Sequence, residues 1–87
     1  MRKKELKKLI DEVFKFYGRR ALIEDDFYGY FLERGFSREE IEDLWMDAMA
    51  EDLIEVGVTP ILDPENPYEI VGKKFVFELK EEMVKII

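Results

Sequence analysis

The stretch Gly35-Phe36-Ser37-Arg38-Glu39-Glu40-Ile41 decides how the chain is read. Gly35 follows an aromatic-rich helical run and suits the left-handed position that ends helices. Ser37 is an N-cap residue, and Glu40 three positions later completes a capping box. Phe36 and Ile41 flank the cap where a hydrophobic staple fixes the entry of the next helix. One helix stops and another starts within seven residues.

The segments around this corner have clear periods. Leu6, Leu9, Ile10, Val13, Phe14 and Tyr17 recur at helical spacing, which predicts helix 1 over Lys3–Tyr17 with Gly18 as its stop. Arg19–Ile23 is short and holds a small strand at most. Glu24, Asp25 and Asp26 place three carboxylates at the start of helix 2, where they favour the helix dipole; Asp25 is the expected cap of a helix over Asp26–Arg34. A hard cation needs more oxygen ligands than this cluster offers. Phe27, Tyr28, Tyr30, Phe31 and Leu32 make helix 2 apolar almost all round, as in a helix wedged into a core. Helix 3 is predicted over Arg38–Asp52, with Ile41, Leu44, Trp45, Ala48 and Met49 as its buried stripe and Trp45 at the centre of the core.

Beyond helix 3, Leu53–Val58 reads as a strand. Pro60, Pro64 and Pro67 predict a loop over Thr59–Pro67. Tyr68–Val71 reads as a further strand, Gly72-Lys73 as a turn and Lys74–Leu79 as the last strand, with Phe75, Phe77 and Leu79 on one face. An alternative keeps Pro60–Lys73 as one long loop. Leu79, Met83, Ile86 and Ile87 are at helical spacing, so residues 80–87 form an extra C-terminal helix if docked. Phe14, Phe31, Leu44, Trp45 and Val56 are the expected core.

These elements predict one α+β domain over residues 1–87, a three-helix core with a β-hairpin. The order over residues 19–80 resembles winged-helix domains. Within that group, Ile23–Val56 is similar to the C-terminal winged helix of archaeal minichromosome maintenance helicases, which also has an acidic second helix, a Gly-aromatic-Ser corner and a third helix running into an apolar strand. The resemblance implies a winged-helix fold and a place in nucleic-acid-processing machinery. The proline-bearing wing here is longer than in that group.

Composition narrows the chemistry. The 87 residues contain no Cys and no His, so thiolate metal sites and the commonest general bases are missing. Ser37 is the only serine and is spent on the cap, and Thr59 is the only threonine. The five glycines are dispersed and form no phosphate loop. The chain is therefore read as a non-enzyme without metal or cofactor. Abundant Glu and Lys, no Gln and a single Asn resemble the composition of thermophile proteins. No apolar run approaches a membrane span and no signal-peptide pattern opens the chain, so a cytoplasmic location is expected.

Charge is polarised. Residues 1–20 carry eight basic and three acidic groups (8 − 3 = +5), and residues 21–87 carry six and eighteen (6 − 18 = −12), which together give −7. Ser37–Asp52 holds one basic residue and seven acids (1 − 7 = −6), the wrong sign for a helix entering a DNA groove. The leading expectation is a protein-interaction or dimerisation module. Its interface residues would be Phe16 and Met46 with Met83, Val84, Ile86 and Ile87 of the tail, which predicts a homodimer built from terminal segments. The alternative is a DNA-binding regulator using Arg2, Lys3, Lys4, Lys7, Lys8, Arg19 and Arg20 on an anion or nucleic acid.

Overall fold

The computed structural model describes residues 2–80. Three helices and a three-stranded antiparallel sheet follow in the order α1 (Lys3–Tyr17), β1 (Ala21–Ile23), α2 (Glu24–Glu33), α3 (Arg38–Ala50), β2 (Ile54–Leu62) and β3 (Ile70–Leu79). The sheet order is β1-β3-β2, so the short first strand borders the hairpin on its β3 side. The expected C-terminal helix and the interface residues Met83, Val84, Ile86 and Ile87 lie outside the described residues.

All three helices end in one way. Gly18, Gly35 and Asp52 have positive φ angles of 65°, 89° and 65°. At the corner, Phe36 N–H donates to the Phe31 carbonyl and Gly35 N–H to that of Leu32, at 3.0 and 3.1 Å, a full Schellman motif. The Phe31 and Phe36 rings meet edge to face at 5.2 Å. Ser37 then opens α3 with both halves of the capping box: Glu40 N–H donates to Ser37 Oγ at 3.1 Å, and Ser37 N–H to Glu40 Oε1 at 2.8 Å. The corner has the predicted form because every contact in it spans six residues or fewer.

The core joins the apolar stripes of the helices to one sheet face. Leu6, Ile10, Val13, Phe14, Phe27, Phe31, Ile41, Leu44 and Ala48 pack around Leu22, Ile54, Phe77 and Leu79. Phe27 joins α2 to the sheet, with its ring 4.5 Å from that of Phe77. Trp45 is 8% exposed and sits at the rim rather than the centre; it spans Phe75 and Phe77, and its Nε1–H donates to Tyr28 Oη at 2.9 Å. Rim placement lets the indole N–H find a partner. Val56 is half-buried, and Met49 is 44% exposed, so the buried stripe of α3 stops at Ala48. The helix itself ends at Ala50, because Asp52 takes the left-handed turn and Leu53 N–H returns to the Ala48 carbonyl at 2.9 Å.

Two further expectations are overturned. Asp25 does not cap α2, which starts at Glu24 with Ile23 in the cap position and no side-chain cap. The expected loop over Thr59–Pro67 is confined to its second half, from Asp63 on; Pro60–Lys73 is not one long loop, and Gly72-Lys73 is not a turn. β2 runs on through Pro60 to Leu62, and β3 begins at Ile70, with Pro60 opposite Lys73 and Ile61 opposite Gly72. The register explains why a proline fits there. Leu79 N–H donates to the Arg20 carbonyl and Phe75 N–H to Glu24, so alternate residues of β3 face β1. Their partners on β2, namely Ile54, Val56, Val58 and Pro60, then point their backbone groups away from β3. Pro60 lacks an N–H only where the ladder needs none. The turn itself spans 63–69: Asp63 Oδ1 accepts from Glu65 N–H and Asn66 Oδ1 from Tyr68 N–H.

Candidate interaction surfaces

The three acids opening α2 fasten the fold together. β1 pairs with β3 through Ala21, Leu22 and Ile23, with the Arg20 carbonyl accepting from Leu79 N–H just before them. Glu24 then carries the ladder one step further with its side chain, as its Oε1 accepts Phe75 N–H at 2.8 Å. Asp25 pairs with Lys74. Asp26 lies 3.8 Å from the Arg19 guanidinium, and its carbonyl accepts from Tyr17 Oη–H at 3.1 Å. Partial burial first, then the Asp26 and Glu33 charges, holds the Tyr17 hydroxyl above its ordinary 10.0. At the far end, Glu55 and Glu78 face each other across the ladder, and Lys80 reaches Glu55 Oε1 at 3.0 Å and Asp52 at 3.5 Å. The hydrogen bond to Glu55 raises the Lys80 ammonium above 10.5.

Of the predicted basic residues, Lys4, Lys7, Lys8 and Lys15 share one exposed groove along α1 with Asp11 and Glu12 (4 − 2 = +2). Among the described residues, none of these lysines, nor Arg2 or Lys3, has a carboxylate within ion-pair distance. Lys3 and Lys4 occupy the first turn, where cations oppose the helix dipole, and Arg2 in the cap position supplies no side-chain cap. Arg19 and Arg20 do not line that groove; with Asp11 and Lys15, which border both, they line a neighbouring depression that also includes Phe14 and Leu79.

The two predicted interface residues within the described range, Phe16 and Met46, lie on different helices, α1 and α3. Phe16 is 61% exposed, yet its ring meets Tyr17 and Tyr30 edge on at 5.0 and 5.2 Å. The Arg34 guanidinium covers Tyr30 at 3.5 Å and donates to the Tyr30 carbonyl at 2.9 Å, closing that cluster within the chain. Met46 is exposed on α3 among Glu39, Glu42, Asp43 and Asp47.

Among the described residues, a cluster of exposed apolar side chains lies where sequence reasoning did not place one, on the β2–β3 hairpin. In β2 and β3, Ile54, Phe77 and Leu79 are buried under the helices. The same sheet face continues outward through the directly paired residues Val58–Phe75, Pro60–Lys73 and Leu62–Ile70, beyond the body. Val58 is 57%, Ile70 59% and Tyr68 at the turn 95% exposed. An alternation of apolar residues carried past Thr59 was the available signal; Pro60 masked it.

Among the described residues no helix is long and apolar enough to cross a membrane. No family model, no curated protein and no solved structure matches the chain.

Proposed function

We propose that this chain is a non-catalytic winged-helix module that works by binding protein, with the outer face of its β2–β3 wing as the contact surface. The helix–strand–helix–helix–hairpin order and the β1-β3-β2 sheet support the winged-helix reading. The observation that carries the function is the wing: six large apolar residues (Val58, Leu62, Tyr68, Ile70, Val71 and Phe75) lie exposed on one hairpin. Contiguous apolar surface of this kind marks a contact. Glu24, through Phe75, and Asp25, through Lys74, hold the root of that hairpin, so the surface is presented at a fixed angle to the body.

A second reading rests on the lysines of α1, which meet no carboxylate at ion-pair distance among the described residues and fit an anionic partner such as DNA. It has to overcome the net charge of −7 and the acidic α3. A DNA titration at low salt separates the two. The interaction-module reading predicts no measurable binding by the wild type. Binding that disappears when Lys3, Lys4, Lys7 and Lys8 are changed together to Glu would establish the second reading instead. Loss of binding in Arg38→Ala would mean that α3 reads the groove, against the charge argument.

A further inference from the structure

We infer that the β2–β3 hairpin is a hinged wing, which bends at the Gly57–Val76 pair and is held at one angle by a latch of two carboxylates, Glu24 and Asp25. The inference rests on reading this hairpin as the contact surface, and it says how the presentation of that surface is controlled.

The hinge lies where three strands become two. Leu22 pairs with the fully buried Phe77, and Ile23 opposite Val76 is the last backbone pair of β1. One pair further out, Val58 and Phe75 are already 57% and 39% exposed. At the boundary itself β2 carries Gly57, opposite Val76. No atom lies within 4 Å of where a Cβ would stand on Gly57, so nothing packs against the strand there. A glycine inside a strand weakens it and favours a bend, and a two-stranded ribbon has little stiffness of its own. The sheet is therefore softest at the level where the body stops supporting it.

The latch crosses that level on the β3 side. Glu24 Oε1 accepts Phe75 N–H at 2.8 Å, Asp25 pairs with Lys74, and the Trp45 ring lies 5.3 Å from that of Phe75. Among the described residues, no hydrogen bond or ion pair ties Val58–Leu62 of β2 to the body. The two carboxylates open α2, which the fully buried Phe27 and Phe31 fix in the core. Both are thus anchored to the rigid part of the molecule and grip the wing just beyond the hinge. The Asp25–Lys74 pair is exposed on both sides, so it biases the wing angle without locking it. A partner that brings cations to Glu24 and Asp25 competes with Lys74 and the Phe75 N–H for them and shifts the wing toward its unlatched angles.

The chain has no cysteine, so two introduced ones carry spin labels for pulsed distance measurements. Glu65→Cys marks the wing turn and Glu12→Cys the body, both at exposed positions. With the latch intact the account predicts one narrow distance distribution, measured in labelled chain diluted with unlabelled chain. Glu24→Ala with Asp25→Ala should widen it at least about twofold as the wing samples more angles. Asp26→Ala, whose carboxylate faces Arg19 and not the wing, should leave the width unchanged. Adding Gly57→Val to the latch-free variant should narrow the distribution again. Unchanged amide exchange at Leu22 and Phe77 checks that the body is intact in each variant. An unchanged width without the latch, equal widening by Asp26→Ala, or a width that Gly57→Val does not reduce would overturn the inference. These distances are read without a partner, so their failure leaves the contact reading intact. A wing that bends as described yet meets no protein would remove that reading and leave the hinge standing.

Discussion

The Glu24 carboxylate accepts the Phe75 N–H at 2.8 Å across 51 positions of sequence. β1 has ended at Ile23, and the side chain supplies the acceptor that the backbone would have given had the strand continued. This contact joins the start of α2 to the root of the hairpin. Glu24→Ala should therefore lower stability by about 1 kcal/mol, the net worth of one such hydrogen bond. Amide exchange at Phe75 should accelerate more than at Phe77. Equal acceleration at both would mean a global loss of stability and no local role.

The left-handed helix ends predict opposite signs at three positions. Gly18→Ala and Gly35→Ala should each cost about 1 kcal/mol, because an added Cβ is strained at positive φ even though open space surrounds it. Asp52→Gly should stabilise by somewhat less than about 1 kcal/mol, since it relieves the same strain at Asp52. The exposed Asp52–Lys80 pair lost in that change contributes little. Denaturant midpoints read all three.

The capping box and the Trp45–Tyr28 hydrogen bond are separate local devices. Ser37→Ala should cost about 1 kcal/mol as a lost cap. Tyr28→Phe should cost about the same by leaving the Trp45 N–H without its partner. Only Tyr28→Phe should change Trp45 fluorescence in the native state. A fluorescence change in Ser37→Ala would show that the corner repositions the core, contrary to the local reading.

Alkaline stability follows from Tyr17 and Lys80. Both hold their protons more tightly when folded than when unfolded. Their contributions are complete below their unfolded values of 10.0 and 10.5 and fade as pH rises through the higher folded values. Stability should accordingly fall as pH is raised above 10, and Tyr17→Phe should flatten that fall. An unchanged slope in Tyr17→Phe would remove Tyr17 from the account.

These contacts also show which parts of the molecule could be read from the chain. The corner from Gly35 to Ile41 was legible because its Schellman bonds and capping box are all local. The apolar stripes of α1 and α3 were legible from their period, although Met49 overran the buried face by one residue. The start of α2 was not legible, since Phe75 and Lys74 hold Glu24 and Asp25 from the far end of the chain. Nor was the hairpin. Pro60 and Gly72 each read as a break, and only the pairing of β2 with β3 shows that Pro60 faces the open edge and Gly72 lies within a strand. The basic residues of α1 were visible as a cluster, but the separation of Arg19 and Arg20 from it depends on the turn at Gly18. The apolar surface of the hairpin stayed hidden because it exists only once the two strands are in register.

Methyl NMR at increasing protein concentration tests the central claim most directly, namely that the exposed apolar face of the β2–β3 hairpin is the surface through which this chain makes protein contacts, self-contacts included. The account predicts concentration-dependent shifts at Val58, Leu62 and Ile70 together, with Leu6 and Ile41 in the core unchanged. Shifts confined to α1 or α3, or none at any concentration reached, would contradict it.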